Sequence, residues 1–266
     1  MPHDPYKALY LHIPFCVKRC GYCDFATKAI DRDDEEIDRY VEQLVLDIRR
    51  YSKQDELGQI ESVYIGGGTP SHIGLRRLSS LLYALSVSVD LTREGLEFTM
   101  EANPESLDAN MVRDIWALGV NRLSIGVQSF DDEVLQILGR AHDAREARDA
   151  VRMAHERFDN VSIDLMCGIP GQSLESFESS LEEAVDLGVK HVSVYPLTIE
   201  SFTKFEELVI AGEMEEPDDD VEAEHMEAAE RLLAQAGFMR YEVANYAIPG
   251  FESKHNSSYW TGVPYI

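Results

Sequence analysis

The stretch YLHIPFCVKRCGYCDF, residues 10–25, governs the reading of the whole chain. Cys16, Cys20 and Cys23 stand in a C-x3-C-x2-C pattern directly after an apolar run, so one short loop at the end of a strand gathers three thiols. That is the pattern of an iron–sulfur cradle. A cubane cluster has four irons, and ordinary electron-transfer clusters hold them with four cysteines. Three cysteines leave one iron open to a small ligand that chelates through an amine and a carboxylate. S-adenosylmethionine carries both groups at its methionine end, and reductive cleavage of its sulfonium bond is a source of radicals. Two other chemistries use clustered cysteines. A zinc site would need a fourth ligand such as Cys167 or His12, although this is not a usual zinc-finger spacing, and a redox thiol pair needs only two of the three.

Working outward, composition narrows the class. The chain has 266 residues, 44% of them hydrophobic, and a formal charge of −25, which suits a soluble protein with a substantial core. No basic segment leads into an apolar stretch at the start, and no apolar run is long enough to cross a bilayer, so a cytoplasmic protein is expected. Four cysteines, three of them clustered, make no disulfide framework; a reducing compartment would leave the thiolates available for iron. Acidic residues far outnumber basic ones after residue 200, which argues against nucleic acid or an anionic membrane as partner.

Strand and helix patterns alternate along the chain. Strands are expected at 8–15, 62–68, 96–103, 122–130, 160–170 and 191–200, and helices at 33–51, 75–89, 108–118, 144–158 and 174–187. Near-continuous Val, Ile and Leu runs in the strands predict an α/β fold with a parallel sheet covered by helices. Beyond residue 200 the expectation is a short helix at 203–212, an acidic loop EMEEPDDD, a helix at 221–236 and an edge strand YEVANYA, residues 241–247. If the sheet curls into a partial barrel, chemistry belongs at the C-terminal ends of the strands.

The cysteine stretch resembles the radical SAM superfamily, in the branch of the oxygen-independent coproporphyrinogen III dehydrogenases and their relatives. The resemblance runs from Tyr10 to Trp260. It implies a radical SAM partial (β/α)6 TIM-like barrel over residues 1–200, with a family-specific C-terminal extension over 201–266. It also implies a 4Fe-4S cluster on Cys16, Cys20 and Cys23 with S-adenosylmethionine on the open iron. Further cofactor contacts carry over motif by motif. Tyr10, Tyr22 and Phe25 come from the first stretch. Gly67, Gly68 and Thr69 come from GGGTPS, which lacks the lysine of a phosphate loop. Glu101 comes from MEANPES, Gln128 from GVQSF, Arg140 from LGRAH and Asp164 from SIDLMCGIP. Read by themselves these residues have plainer alternatives. Glu101 could be a solvated loop acid and Arg140 a surface ion-pair partner, while His12 and Cys167 suit core positions.

Two features separate the branches. The decarboxylating dehydrogenases of this family carry a further cysteine two positions after the third ligand, where this chain has Phe25, and they lack H-N-x-x-Y-W, present here as His255, Asn256, Tyr259 and Trp260. Both features resemble the heme chaperones of the family, which bind heme and pass it to acceptor proteins. That implies heme as cargo, heme-accepting proteins as partners, an electron donor such as flavodoxin or ferredoxin, and His255 as a candidate axial ligand of the heme iron. The plainer reading of His255 and Trp260 is that they pack a loop against the barrel. The alternative function is oxidative decarboxylation of coproporphyrinogen III. The family usually continues into a further segment and a small C-terminal domain beyond the point that Ile266 reaches, so the extension is expected to be incomplete.

Overall fold

In a computed structural model of the chain, which describes residues 4–266, period-two strands alternate with amphipathic helices. The first strand, β1 (Ala8–Ile13), runs into the cysteine loop, whose base is tied by β2 (Phe15–Cys16) pairing with β3 (Lys28–Ala29). There follow α1 (Glu35–Lys53), β4 (Ser62–Gly67), α2 (Leu75–Ser86), β5 (Glu97–Ala102), α3 (Ala109–Ala117) and β6 (Arg122–Gln128). Next come α4 (Asp132–Leu138), α5 (Ala144–His155), β7 (Asn160–Cys167), α6 (Leu174–Asp186) and β8 (His191–Pro196). The remainder adds α7 (Lys204–Ile210), α8 (Asp219–Gln235), β9 (Met239–Arg240), β10 (Asn245–Ala247) and α9 (Lys254–Thr261). Helix starts are written into the sequence: Asp34, Asp108 and Ser173 each accept a backbone N–H at an N-cap, and Asp143 with Glu146 forms a capping box on α5.

The main sheet has the order β1-β4-β5-β6-β7-β8-β10-β9. Its first six strands are parallel and in sequence order, the arrangement of a partial barrel wound by βα units. Antiparallel β10 joins β8, and β9 joins β10, so residues beyond 200 extend the same sheet. At the other edge, Tyr10 N–H donates to Ile266 O (2.8 Å) and Ile266 N–H to Ala8 O (3.0 Å). Among the described residues no helix is long and apolar enough to cross a membrane.

The strands depart from the continuous apolar runs expected. Their outward residues are apolar and buried under the helices, as with Leu11, Ile65, Phe98, Ile125, Ile163 and Val194. Their inward residues are polar: Tyr10, Tyr64, Thr99 and Glu101, Arg122 and Ser124, Ser162 and Asp164, His191 and Ser193. The core therefore lies between sheet and helices, and the lumen below the strand ends is filled by polar side chains. Strict alternation places one residue class on each face of a strand.

The end of the lumen opposite the strand C-termini is covered by α9. Glu97, the first residue of β5, accepts from Lys254 N–H (2.8 Å), His255 N–H (3.0 Å) and Ser253 Oγ (3.2 Å), so a buried carboxylate holds the N-terminus of this helix. Leaving buried donors without their acceptor costs about 1–3 kcal/mol each, so Glu97→Ala, which strands three of them, is expected to cost about 3–5 kcal/mol in a urea melt. A loss below about 0.5 kcal/mol would mean that α9 is held by apolar packing alone.

Several elements differ from expectation: the short strands β2, β3 and β9 were not expected, and the edge strand expected at 241–247 is confined to β10. Helix α4 was not foreseen, because seven residues between two motifs show too little periodicity; it closes with Gly139 in the left-handed region. The H-N-x-x-Y-W segment is helical, with Ser253 as its N-cap.

Candidate functional site

The C-terminal ends of the parallel strands and the cysteine loop enclose a cavity of about 400 Å³. Cys16, Cys20 and Cys23 line it, each unpaired and half-buried. Around them stand Gly67 at the end of β4, Gly68 and Thr69 just beyond it, Glu101 on β5, Gln128 on β6 and Asp164 on β7. Arg140, from the turn after α4, and Tyr22 and Phe25, from the cysteine loop, complete the set brought together here. The motifs that sequence placed at strand ends do share one cavity.

The loop itself needs glycine. A Cβ on Gly68 would stand 2.8 Å from both Cys16 Sγ and the Phe15 carbonyl oxygen, and Gly67 has a φ of +117° with His12 2.6 Å from where its Cβ would be. The same backbone fixes Glu101, whose carboxylate accepts from Tyr64 OH (2.6 Å) and Gly67 N–H (3.0 Å). Burial pushes Glu101 up to about 7, against the Tyr64 bond, with the charge of Asp164 adding to the rise. Burial also raises Asp164, while hydrogen bonds to Ser193 and Ser124 and the charges of Arg122 and Arg140 oppose it. Gln128 reaches the cavity through a β-bulge and a positive φ of 67°, a strained placement of the kind found where a side chain is aimed at a ligand.

Arg140 is the electrostatic hub. Its Nη2 donates to Gly126 O (2.7 Å) and Asn103 Oδ1 (2.8 Å), and its Nη1 to Cys20 Sγ and Tyr22 OH (both 3.5 Å). Burial opposes its charge, but Tyr22, Cys20 and Glu105 together hold the guanidinium above its ordinary pKa. The Cys16 thiol is raised by burial, against a hydrogen bond from Thr69. Asn103 carried no role in the sequence reading although it stands in the same N-P motif as Glu101; its Nδ2 donates to Thr69 Oγ1 (2.9 Å), linking that threonine to Arg140. Tyr64 and Arg122 were missed too, and their polar character at inward positions of a strand was the available signal.

Two expected contacts are not brought to the cavity. Tyr10 lies lower in the lumen, its OH on His12 Nδ1 (2.9 Å) and its ring stacked on Tyr64. His255 lies lower still, buried, with Nδ1 on Ser62 Oγ (3.1 Å), Nε2 on Tyr259 OH (3.0 Å) and its ring stacked on Tyr64. Burial and Arg122 lower its pKa to about 4. With both ring nitrogens engaged inside the protein, His255 cannot meet a heme iron without dismantling the barrel floor; the packing alternative describes it. Phe25 sits at the cavity rim, 61% exposed.

The residues present fit a 4Fe-4S cluster and S-adenosylmethionine. Three unpaired thiols on one loop suit a cluster, whose irons each take a single thiolate. Beside them are a glycine edge a Cβ would fill, a carboxylate pair, and Arg140 Nε, buried without a partner.

The sequence model of the radical SAM superfamily matches residues 10–184. The protein named heme chaperone HemW of Haemophilus influenzae is 37% identical over 100% of this chain and 69% of its own length. HemW of Escherichia coli is 38% identical over 98% and 68%, and HemW of Mycobacterium tuberculosis 39% over 98% and 67%. The chain belongs to the radical SAM superfamily, in the HemW family. It spans about two thirds of the length of these relatives. Among solved structures, coproporphyrinogen III oxidase HemN of Escherichia coli superposes with a TM-score of 0.80 at 24% identity, over 98% of this chain and 59% of that one. Methylornithine synthase PylB does so with a TM-score of 0.60 at 15% identity, over 86% and 62%. Both show the same fold. Membership in the superfamily implies a 4Fe-4S cluster and S-adenosylmethionine.

Proposed function

We propose that the protein is a heme chaperone, binding heme and passing it to acceptor proteins in the cytoplasm. The observation that carries the reading is its likeness to HemW proteins along essentially its whole length. Phe25 at the cavity rim, in place of a fourth nearby thiol, favours it over decarboxylation. When bound and reduced, the cluster supplies an electron to the sulfonium of S-adenosylmethionine; a flavodoxin or ferredoxin would be the source.

In this reading Cys16, Cys20 and Cys23 ligate three irons, and the backbone at Gly67, Gly68 and Thr69 cradles the methionine end of the cofactor. Glu101 would accept an N–H from its amine, and Asp164 and Gln128 would take the hydroxyl and base donors. The unpaired Nε of Arg140 points a charge-assisted donor at a carboxylate.

The test is anaerobic reconstitution of the cluster, heme titration, and transfer to a heme-free acceptor, with product analysis on coproporphyrinogen III in parallel. Saturable heme absorbance and transfer, without decarboxylation, are expected. Protoporphyrinogen formation without heme binding would overturn the reading in favour of a dehydrogenase. His255→Ala is expected to keep the heme stoichiometry and lower the melting temperature, because its ring is engaged inside the barrel.

A further inference from the structure

Below the cofactor cavity the lumen holds a cation that does not itself line the cavity. Arg122 starts β6 and is 1% exposed. Its register neighbours are Thr99 on β5 and Asn160 on β7. Arg122 Nε, Thr99 Oγ1 and Asn160 Oδ1 are all buried without a hydrogen-bond partner, and so is Asn245 Oδ1 on β10. Four such atoms stand on four strands facing one lumen, and a buried polar group is strongly destabilising unless a partner or water satisfies it. Higher in the same lumen stand the two carboxylates of the cavity, Glu101 two residues beyond Thr99 and Asp164 four beyond Asn160.

We propose that Arg122 is a positioning residue for S-adenosylmethionine: through water held at these atoms, it keeps Glu101 and Asp164 as carboxylates facing the cofactor. The inference rests on reading those two side chains as cofactor contacts. Glu101 is faced by Tyr64 on β4, Asp164 on β7, Arg122 on β6, Tyr195 on β8, Tyr10 on β1 and Tyr259 on α9. Asp164 is faced by Ser193 and Tyr195 on β8, Ser124 and Arg122 on β6, Tyr64, and Arg140. Arg122 is the cation that acts on both. His191 and His255 add no positive charge at neutral pH, because burial and Arg122 itself lower their pKa values.

The sign follows. Glu101, raised to about 7 with Arg122 in place, rises further without it. It would then be protonated at neutral pH, and a neutral carboxyl is a weaker acceptor for the N–H of the cofactor's iron-bound amine. Calorimetric titration of S-adenosylmethionine into the reconstituted full chain, with the cluster oxidised, tests this across pH. Arg122→Gln is expected to weaken binding about tenfold at neutral pH and to recover by roughly two pH units higher, whereas Arg122→Lys follows the parent. Thr99→Val, which removes one water partner and keeps the charge, should shift the profile the same way by less, and serves if Arg122→Gln fails to fold. Glu101→Gln should bind weakly with little pH dependence, and adding Arg122→Gln to it should change little. Arg122→Gln binding like the parent at every pH, or weakened equally at every pH as a packing defect would be, overturns the proposal. Parent-like binding by Glu101→Gln would instead overturn the reading of that contact.

Discussion

Replacing Cys20 by alanine is expected to abolish cluster assembly, with iron and sulfide after anaerobic reconstitution falling to background and S-adenosylmethionine affinity falling with them. Cys16, Cys20 and Cys23 line one face of the cavity, and each of three irons has a single protein ligand to lose. The fourth cysteine offers no substitute: Cys167 is fully buried outside the lumen, its Sγ against Met226 Sδ (3.7 Å), and burial pushes its thiol up to about 12. The same loss is expected for Cys16→Ala and Cys23→Ala. Circular dichroism should be nearly unchanged, because the sheet is built from pairings that do not involve this loop. Retention of a full cluster in Cys20→Ala would mean that another residue ligates it.

Arg140→Met is expected to be nearly as damaging by another route. The substitution keeps the aliphatic stem and removes a buried guanidinium that satisfies Gly126 O and Asn103 Oδ1 and donates to Cys20 Sγ. Leaving acceptors buried and unpaired costs about 1–3 kcal/mol each, so a loss of about 3–5 kcal/mol is expected in a denaturant melt. That corresponds to roughly a 10 °C fall in melting temperature for a domain of this size. Cofactor binding should fall further than stability accounts for, because Asn103 is the link to Thr69 and positive charge is lost beside the thiolates. Arg140→Lys is expected to rescue only part, since an ammonium cannot reproduce the planar fork that serves Gly126, Asn103 and Cys20 at once. An unchanged melt with unchanged cofactor affinity would remove Arg140 from the site.

Much of the site was legible because its signals are local. The C-x3-C-x2-C spacing puts three thiols on one loop, and the glycines and carboxylates follow strands whose ends meet on one face in any parallel βα array. The strand alternation was equally local and was misread: EFTMEA and RLSIGVQ alternate polar and apolar residues at every step until the bulge. Such a pattern is a half-polar surface rather than a strand buried between two apolar layers. What could not be read was which polar residues meet. His255, a candidate heme ligand by resemblance, has its ring hydrogen-bonded to Ser62, 193 residues earlier.

By itself the sequence determined the order of the six strand-helix units, the parallel array and the cysteine cradle, because those depend on periodicity and on spacings of a few residues, while most of the cavity lining followed from the resemblance of its motifs to those of the radical SAM family. Only the tertiary structure decided that α9 closes the lumen on the carboxylate of Glu97, that Asn103 and Arg140 tie the cavity together, and that Arg122 stands among unpaired polar atoms beneath it. These depend on register between strands far apart in the chain, and a one-residue slip in register would send every one of those side chains to the opposite face.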